Sequence, residues 1–395
     1  MSPTPRRLRR IFALDDFEPA ARRHLPRPVF GYVASASETN ASRDDNRAAF
    51  AEIGLLPRVG IDVTDRRLGA EVMGLSYDMP FGIAPMGVSA LTAYRGDIVL
   101  ARAAERAGIP MVISAASLIP LEEIRAEAPG VWYQAYLPNG WEEKVALLER
   151  VARAGIDTLV ITVDSSVGPS PENNLRAGWS TPIRPSLPLL WQGMTHPRWA
   201  IGTFLRTFFR HGPPHFENAY ARQGAPLLSR QAVRDFSGRQ SLSWEVLERL
   251  RQEWRGRYII KGVNRPDDAA RAQAIGADGV ILSNHGGRQL DGAVSPMRVL
   301  RAARAAAPGL ALMLDGGIRR GTDILKALAL GADFVFVGRP FNYAASIGGE
   351  AGVDHAIGLL RKELLADIGM LGPLRPADLG PELLDLGRFR EAAPG

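Results

Sequence analysis

No cysteine occurs in the 395 residues, which excludes disulfides, thiolate metal sites and a cysteine nucleophile and permits a cytoplasmic location. Histidine is scarce, at six. No uninterrupted apolar run is long enough to span a bilayer. The stretch that follows the basic start, IFALDDFEPAARRH, lacks the apolar core of a signal peptide. The first apolar run is not followed by the G-x-G-x-x-G turn of a dinucleotide site. What remains is ordinary for a globular chain able to bury a core, with 46% hydrophobic and 23% charged residues. The net charge of +6 is much of it arginine, and the start, MSPTPRRLRR, is strongly basic. Such a surface suits an anionic membrane, nucleic acid or small acids, but a merely solvated basic surface is the preferred reading. No metal and no nucleic acid is expected as a partner.

Short apolar, β-branched runs recur, each followed by a helical pattern. They lie at 79–85, 110–114, 131–136, 157–164, 257–262, 278–284, 310–317 and 333–340. Runs apolar throughout suit strands covered on both faces. Between them stand amphipathic stretches such as GDIVLARAAERAG, GWEEKVALLERVARAG and TDILKALALGA, several of which lead through a glycine stop into the next run. Alternating units also build open doubly wound sheets, but eight of them predict a closed parallel TIM (β/α)8 barrel. The expected layout is one domain over 1–395. It comprises a helical cover over 1–78, the barrel over 79–367 with an insertion at 165–242, and a tail over 368–395.

In such a barrel the C-terminal strand ends carry the chemistry. Read in order, those ends supply Pro85, Met86 and Gly87, then Ser114, then Gln134 and Tyr136, then Thr162 and Asp164. Lys261 follows, then Ser283 with Asn284 and His285, then Asp315, Gly316 and Gly317, then Gly338 and Arg339. Any one of these alone is an ordinary cap or satisfied core group; together they converge on one mouth. LDGGIRRGTD and VFVGRP set glycines and arginines after strands seven and eight. Barrels bind phosphate there through backbone N–H groups and helix N-termini, with arginine as a bidentate donor. Tight turns into helices are the alternative explanation of the same glycines; a phosphate site is the preferred reading.

Four motifs, SNHGGRQLDG, LDGGIRRGTDILKALALGA, IIKGV and YQAY, resemble those of the FMN-dependent α-hydroxy acid dehydrogenases and oxidases. The resemblance runs from about Arg22 to about Gly369, and GAVSPMRVL with the HPRW insertion is most similar to the mandelate dehydrogenase branch. It implies a TIM barrel with FMN at its mouth. It implies His285 as base, Arg288 as a clamp on the substrate carboxylate, Asp164 as partner of the histidine, and Tyr136 and Tyr32 as substrate contacts. Lys261, Ser114, Gln134, Thr162 and the backbone of Pro85, Met86 and Gly87 are implied as flavin-ring contacts. Ser283 is counted with the cofactor-binding residues. Asp315, Gly316, Gly317, Arg319, Gly338 and Arg339 are implied as ribityl and phosphate contacts.

Two positions depart from the family pattern. SPENN puts Pro171 where an arginine usually stands, so a second guanidinium near the substrate requires Arg176 or Arg184 to substitute. Ala116 replaces a common aromatic and leaves space.

The chemistry implied is oxidation of a small L-2-hydroxy acid to the keto acid. A histidine, titrating near neutrality, can take either the hydroxyl proton or the Cα proton; both routes stay open. An ammonium at a strand end is costly without a partner, and the flavin edge is the expected partner of Lys261. Gly87 leans toward a dehydrogenase that uses quinone rather than O2. The 186–217 segment mixes Leu189, Leu190, Trp191, Trp199, Phe204, Leu205, Phe208 and Phe209 with Arg198, Arg206 and Arg210. This composition suits peripheral contact with the inner face of a membrane, or a lid or a subunit contact. A homotetramer is implied by the resemblance alone. Other readings of the same pattern are an O2-using oxidase or monooxygenase, oxidation of a larger substrate, or an FMN-dependent isomerase.

Overall fold

A computed structural model of the chain describes residues 5–181, 183, 184, 186–229 and 237–392. Parts of the basic start, the insertion and the tail (1–4, 182, 185, 230–236, 393–395) lie outside the described residues.

Each of the eight apolar runs holds a strand: β1 Phe81–Ile83, β2 Val112–Ser114, β3 Trp132–Ala135 and β4 Thr158–Thr162. Then come β5 Arg257–Val263, β6 Gly279–Leu282, β7 Ala311–Asp315 and β8 Phe334–Val337. They pair in parallel in the order β1-β8-β7-β6-β5-β4-β3-β2. A parallel bridge between Ile83 and Met111 joins the two ends into a nearly closed barrel. Helices over the amphipathic stretches, such as Gly96–Arg106, Trp141–Arg153 and Gly321–Ala329, surround it.

The period of two along each strand decides what faces where. Val112, Trp132, Val160, Ile259, Ile281 and Met313 point inward and form one cluster with Phe334 and Phe336. Their neighbours Ile113, Tyr133, Leu159, Ile161 and Ile260 belong to a separate outer cluster beneath the helices. Two residues on from each inward apolar group, the same face carries Ser114, Gln134, Thr162, Lys261, Ser283 and Asp315. All six are buried. The apolar floor and the polar ring above it are therefore successive layers of one register.

The floor is closed from below. Ala70–Val72 and Leu75–Tyr77 form an antiparallel hairpin, and Val72, Met73, Leu75 and Tyr77 pack on the inner cluster. Trp132 donates from Nε1 to the Tyr77 hydroxyl at 3.2 Å. Above the barrel, helix Arg27–Ala34 brings Tyr32 and Val33 to the mouth. Helix Ala41–Ala51 places Asn46 against Asn284, the two amides exchanging hydrogen bonds of 2.7 and 2.9 Å.

Trp132 is 1% exposed and fills the floor between Tyr77 and Phe336. Trp132→Ala is expected to cost about 3–5 kcal/mol of stability, read as a lowered midpoint of urea unfolding.

Candidate active site at the mouth of the barrel

The polar ring is wired by charge. Lys261 Nζ lies 2.8 Å from Asp315 Oδ2 and donates to Ser283 Oγ at 2.9 Å; Ser283 Oγ in turn donates to Asp315. Burial opposes the lysine's charge, but Asp315 and then Asp164 outweigh it and hold the ammonium above its ordinary pKa. A flavin edge was the partner expected of Lys261; the structure pairs it with Asp315, and the lysine also lines the cavity where such an edge would lie. A bare ammonium that deep would be too costly, and Asp315 at the end of β7, two strands over, reaches it beside Ser283.

Ser283 Oγ also accepts the backbone N–H of His285 at 2.9 Å. His285 has φ of 58°, and Gly286 and Gly287 continue at 64° and 76°. Left-handed backbone is unusual for a residue with a Cβ. A Cβ on Gly287 would stand 2.5 Å from the backbone nitrogen of Arg43, so the glycine is demanded by the close approach of the N-terminal cover.

The imidazole is held from both sides. Its Nδ1 is 2.7 Å from Asp164 Oδ1, and its Nε2 is 3.3 Å from the Tyr136 hydroxyl. Burial acts to raise the pKa of Asp164, but the charge and hydrogen bond of His285 prevail, and the carboxyl sits below its ordinary value. Asp164 is thus an anion throughout the neutral range, placed to stabilise imidazolium once a proton arrives.

Around His285 opens a cavity of about 1000 Å3, its mouth included. Its lining includes Tyr32, Pro85, Met86, Gly87, Ser114, Gln134, Tyr136, Thr162, Lys261, His285 and Arg288. Asp315, Gly316, Gly317, Arg319, Gly338 and Arg339 line it as well. Of the predicted site residues only Asp164 and Ser283 stand behind the wall, where they hold residues that line it. Arg288 Nη1 bonds the carbonyls of Tyr32, Val33 and Ser35 at 2.7, 3.4 and 3.0 Å. Only Nε and Nη2 remain for a ligand.

The cavity fits FMN on its own chemistry. Gln134 Nε2 is buried among the described residues with no partner, while its Oε1 accepts from Ser114 and Ala115; a donor is left for a carbonyl-rich ring. Arg339 is partly buried, and desolvation followed by the neighbouring Arg288 pushes its pKa down to about 9. Arg319 is likewise lowered, by burial and then Arg47. Both guanidiniums would be relieved by a bound dianion. Helix Arg339–Gly348 begins at this point, adding its N-terminal N–H groups.

Comparison with known proteins agrees. A family model described as FMN-dependent dehydrogenase matches residues 21–386. The chain belongs to the FMN-dependent dehydrogenase family. It is 36% identical to the (S)-mandelate dehydrogenase of Pseudomonas putida over 97% of this chain and 96% of that one. It is 38% identical to the L-lactate dehydrogenase of Stenotrophomonas maltophilia (strain R551-3) over 95% and 98%. The crystal structure of the monotopic membrane protein (S)-mandelate dehydrogenase superposes with a TM-score of 0.86 at 35% identity, covering 95% of this chain and 100% of that one.

For an FMN-dependent dehydrogenase, three features escaped sequence reasoning. Arg176 and Arg184 do not line the cavity: Arg176 binds Glu172 and Asn173 on the insertion helix, and Arg184 is exposed. Arg239 does reach the site instead, its guanidinium 3.8 Å from the Tyr136 ring centroid; an arginine beyond an irregular insertion carries no local signal. Asn342 lines the cavity from the first turns of helix Arg339–Gly348, where VFVGRP pointed only as far as its arginine.

Gly262 is the third. It has φ of 99°, and a Cβ there would stand 2.6 Å from Asp164 Cβ and Cγ. Gly262→Ala is therefore expected to push Asp164 off His285, lowering the flavin reduction rate about 10- to 100-fold while FMN content stays near stoichiometric. Absorbance of the purified protein and anaerobic stopped-flow reduction read the two quantities separately.

Proposed function

We propose that the chain oxidises an L-2-hydroxy acid to the 2-keto acid with His285 as the base. The carrying observation is His285 clamped between Asp164 at 2.7 Å and Tyr136 at 3.3 Å on the wall of a cavity that also holds Arg288. FMN, when bound, supplies a two-electron acceptor. Everything else falls to the side chains. Arg288, with Tyr32 beside it (guanidinium carbon 4.9 Å from the ring centroid), binds the carboxylate through its Nε and Nη2. That grip turns the hydroxyl-bearing carbon toward His285. His285 Nε2 takes one proton, Asp164 stabilises the resulting cation, and Tyr136 donates its hydroxyl to the substrate oxygen. Lys261 and Gln134 hold the cofactor, and Arg319 and Arg339 its phosphate.

His285→Gln keeps a polar side chain but no base. The expected loss in flavin reduction rate is on the order of 10²–10⁴-fold. Reduction near the wild-type rate in anaerobic stopped-flow would remove His285 from this role.

For the electrons' onward path we favour a membrane quinone. No described helix is long and apolar enough to cross a membrane. The insertion, however, presents Leu187, Leu190, Trp191, Met194, Ile201 and Phe209 to solvent, each at least 58% exposed. Arg198 and Arg210 are exposed beside them. Trp199, expected among the surface aromatics, is buried instead, its Nε1 donating to Leu91 O at 2.7 Å, and it anchors the segment to the barrel. An apolar face this large, edged by arginines, supports attachment to an anionic bilayer. Its similarity to a monotopic membrane protein points the same way. The protein is expected to co-sediment with anionic liposomes at low salt, and deletion of 186–217 to release it; a free wild-type protein would end the proposal.

A further inference from the structure

The insertion after β4 does more than cover the mouth. Its first helix, Glu172–Ala177, lies against helix Arg27–Ala34, which carries Tyr32. The two approach most closely at Gly31, where a Cβ would stand 2.3 Å from Ala177 Cβ. Polar contacts fix their register. Arg27 Nη2 donates to the Arg176 carbonyl at 2.6 Å, and Ser35 Oγ to Asn174 Oδ1 at 2.6 Å. Asn173 Nδ2 donates to the carbonyls of Ala36 and Glu38, each at 2.8 Å. SPENN, which lacks the family arginine, thus supplies two asparagines that brace the segment following Tyr32.

The helix stops at Gly178, whose φ of 84° reverses the chain. The N–H groups of Gly178 and Trp179 return to the carbonyls of Leu175 and Asn174 at 2.9 and 2.8 Å, the paired bonds of a Schellman stop. The turn swings Trp179 inward, where it is 3% exposed. Its ring lies on Tyr32, with centroids 4.5 Å and planes 33° apart, and its Nε1 donates to Thr181 Oγ1 at 2.9 Å.

Tyr32 has a second ring partner in Arg288. That arginine also hangs from the carbonyls of Tyr32, Val33 and Ser35. An indole, a phenol and a guanidinium therefore form one chain of contacts, from the insertion to the group that grips the carboxylate. Trp179 itself stands outside the cofactor cavity.

We propose that Trp179 is a positioning residue for substrate binding: by holding Tyr32 it sets the angle at which Arg288 meets the substrate carboxylate. The inference rests on the hydroxy-acid reading above. The chemistry at Cα is unchanged, since His285, Asp164 and Tyr136 keep the geometry already described. What the indole fixes is the approach of the acid, so its loss falls on KM more than on kcat.

The test uses the full-length, FMN-loaded protein and anaerobic flavin reduction by L-lactate and (S)-mandelate. Trp179→Ala is expected to raise KM about 5- to 10-fold, the range of one aromatic pair, with kcat changed less than about 3-fold and FMN content unchanged. Trp179→Leu, which keeps apolar bulk without a ring, should follow alanine. Trp179→Phe, which keeps a ring, should recover most of the loss. A tryptophan that merely stiffened the fold would add its effect to that of Tyr32→Ala. If the indole works through Tyr32, Trp179→Ala raises KM less than about 2-fold once Tyr32 is already alanine. Calorimetric titration with the two keto acids reads the same grip without turnover and should show the same losses. A KM unmoved in Trp179→Ala and Trp179→Leu, an equal loss in Trp179→Phe, additive effects in the double variant, or no binding of either keto acid to wild type overturns the proposal. Keto-acid binding that weakens in Trp179→Ala and recovers in Trp179→Phe, without flavin reduction by either hydroxy acid, would leave the brace standing and reject the reaction assigned to the site.

Discussion

The buried pair of Lys261 and Asp315, with Ser283 between them, is the interaction on which the rest of the mouth depends. It ties β5, the residue that follows β6, and β7 together at the layer where the apolar floor ends. It also reaches the chemistry directly, because the same Ser283 oxygen fixes the backbone of His285. An ion pair this deep is a poor source of net stability. Its value here lies in geometry: removing either charge would strand the other and release the loop that carries the imidazole.

The guanidiniums show the opposite arrangement. Arg319 and Arg339 are partly buried with their charge opposed, and backbone carbonyls such as Val33, Ser35, Gly286 and Ile318 take much of their hydrogen bonding, with Asp15 3.4 Å from Arg319 Nε. Carbonyls satisfy donors without neutralising charge, so positive potential remains at Arg339 for a ligand. One half of the mouth is thus electrostatically closed by Asp315, and the other is left open to an anion. The cofactor's phosphate fits the open half.

Much of this was legible along the chain because the barrel repeats one rule. An apolar run whose C-terminal end turns polar marks both strand and mouth, and Gln134, Thr162, Lys261 and Asp315 were read from those ends. SNHGGRQLDG carried the family resemblance but no sign that His285 itself would join Gly286 and Gly287 in left-handed backbone. What stayed hidden depends on register between elements distant in sequence. The partner of Lys261 lies two strands away. Gly262 reads as the end of a strand and is in fact the space that Asp164 occupies. Arg239 follows an insertion with no regular period, and nothing local announces that Gly238 docks on Pro138. Composition left the 186–217 segment open between a membrane face and a lid on the barrel, and Trp199 belongs to the packed side, its indole N–H reaching a carbonyl inside.

The hairpin Ala70–Tyr77 has a kinetic consequence. Together with the apolar side chains packed across the floor, it closes the base of the barrel, and the described cavity lies at the opposite end. Reactant, keto acid and any oxidant that reached the ring from that one end would have to take turns. A turnover of that kind proceeds as two alternating half-reactions, and a product slow to depart would hold back the second as surely as it blocks the first.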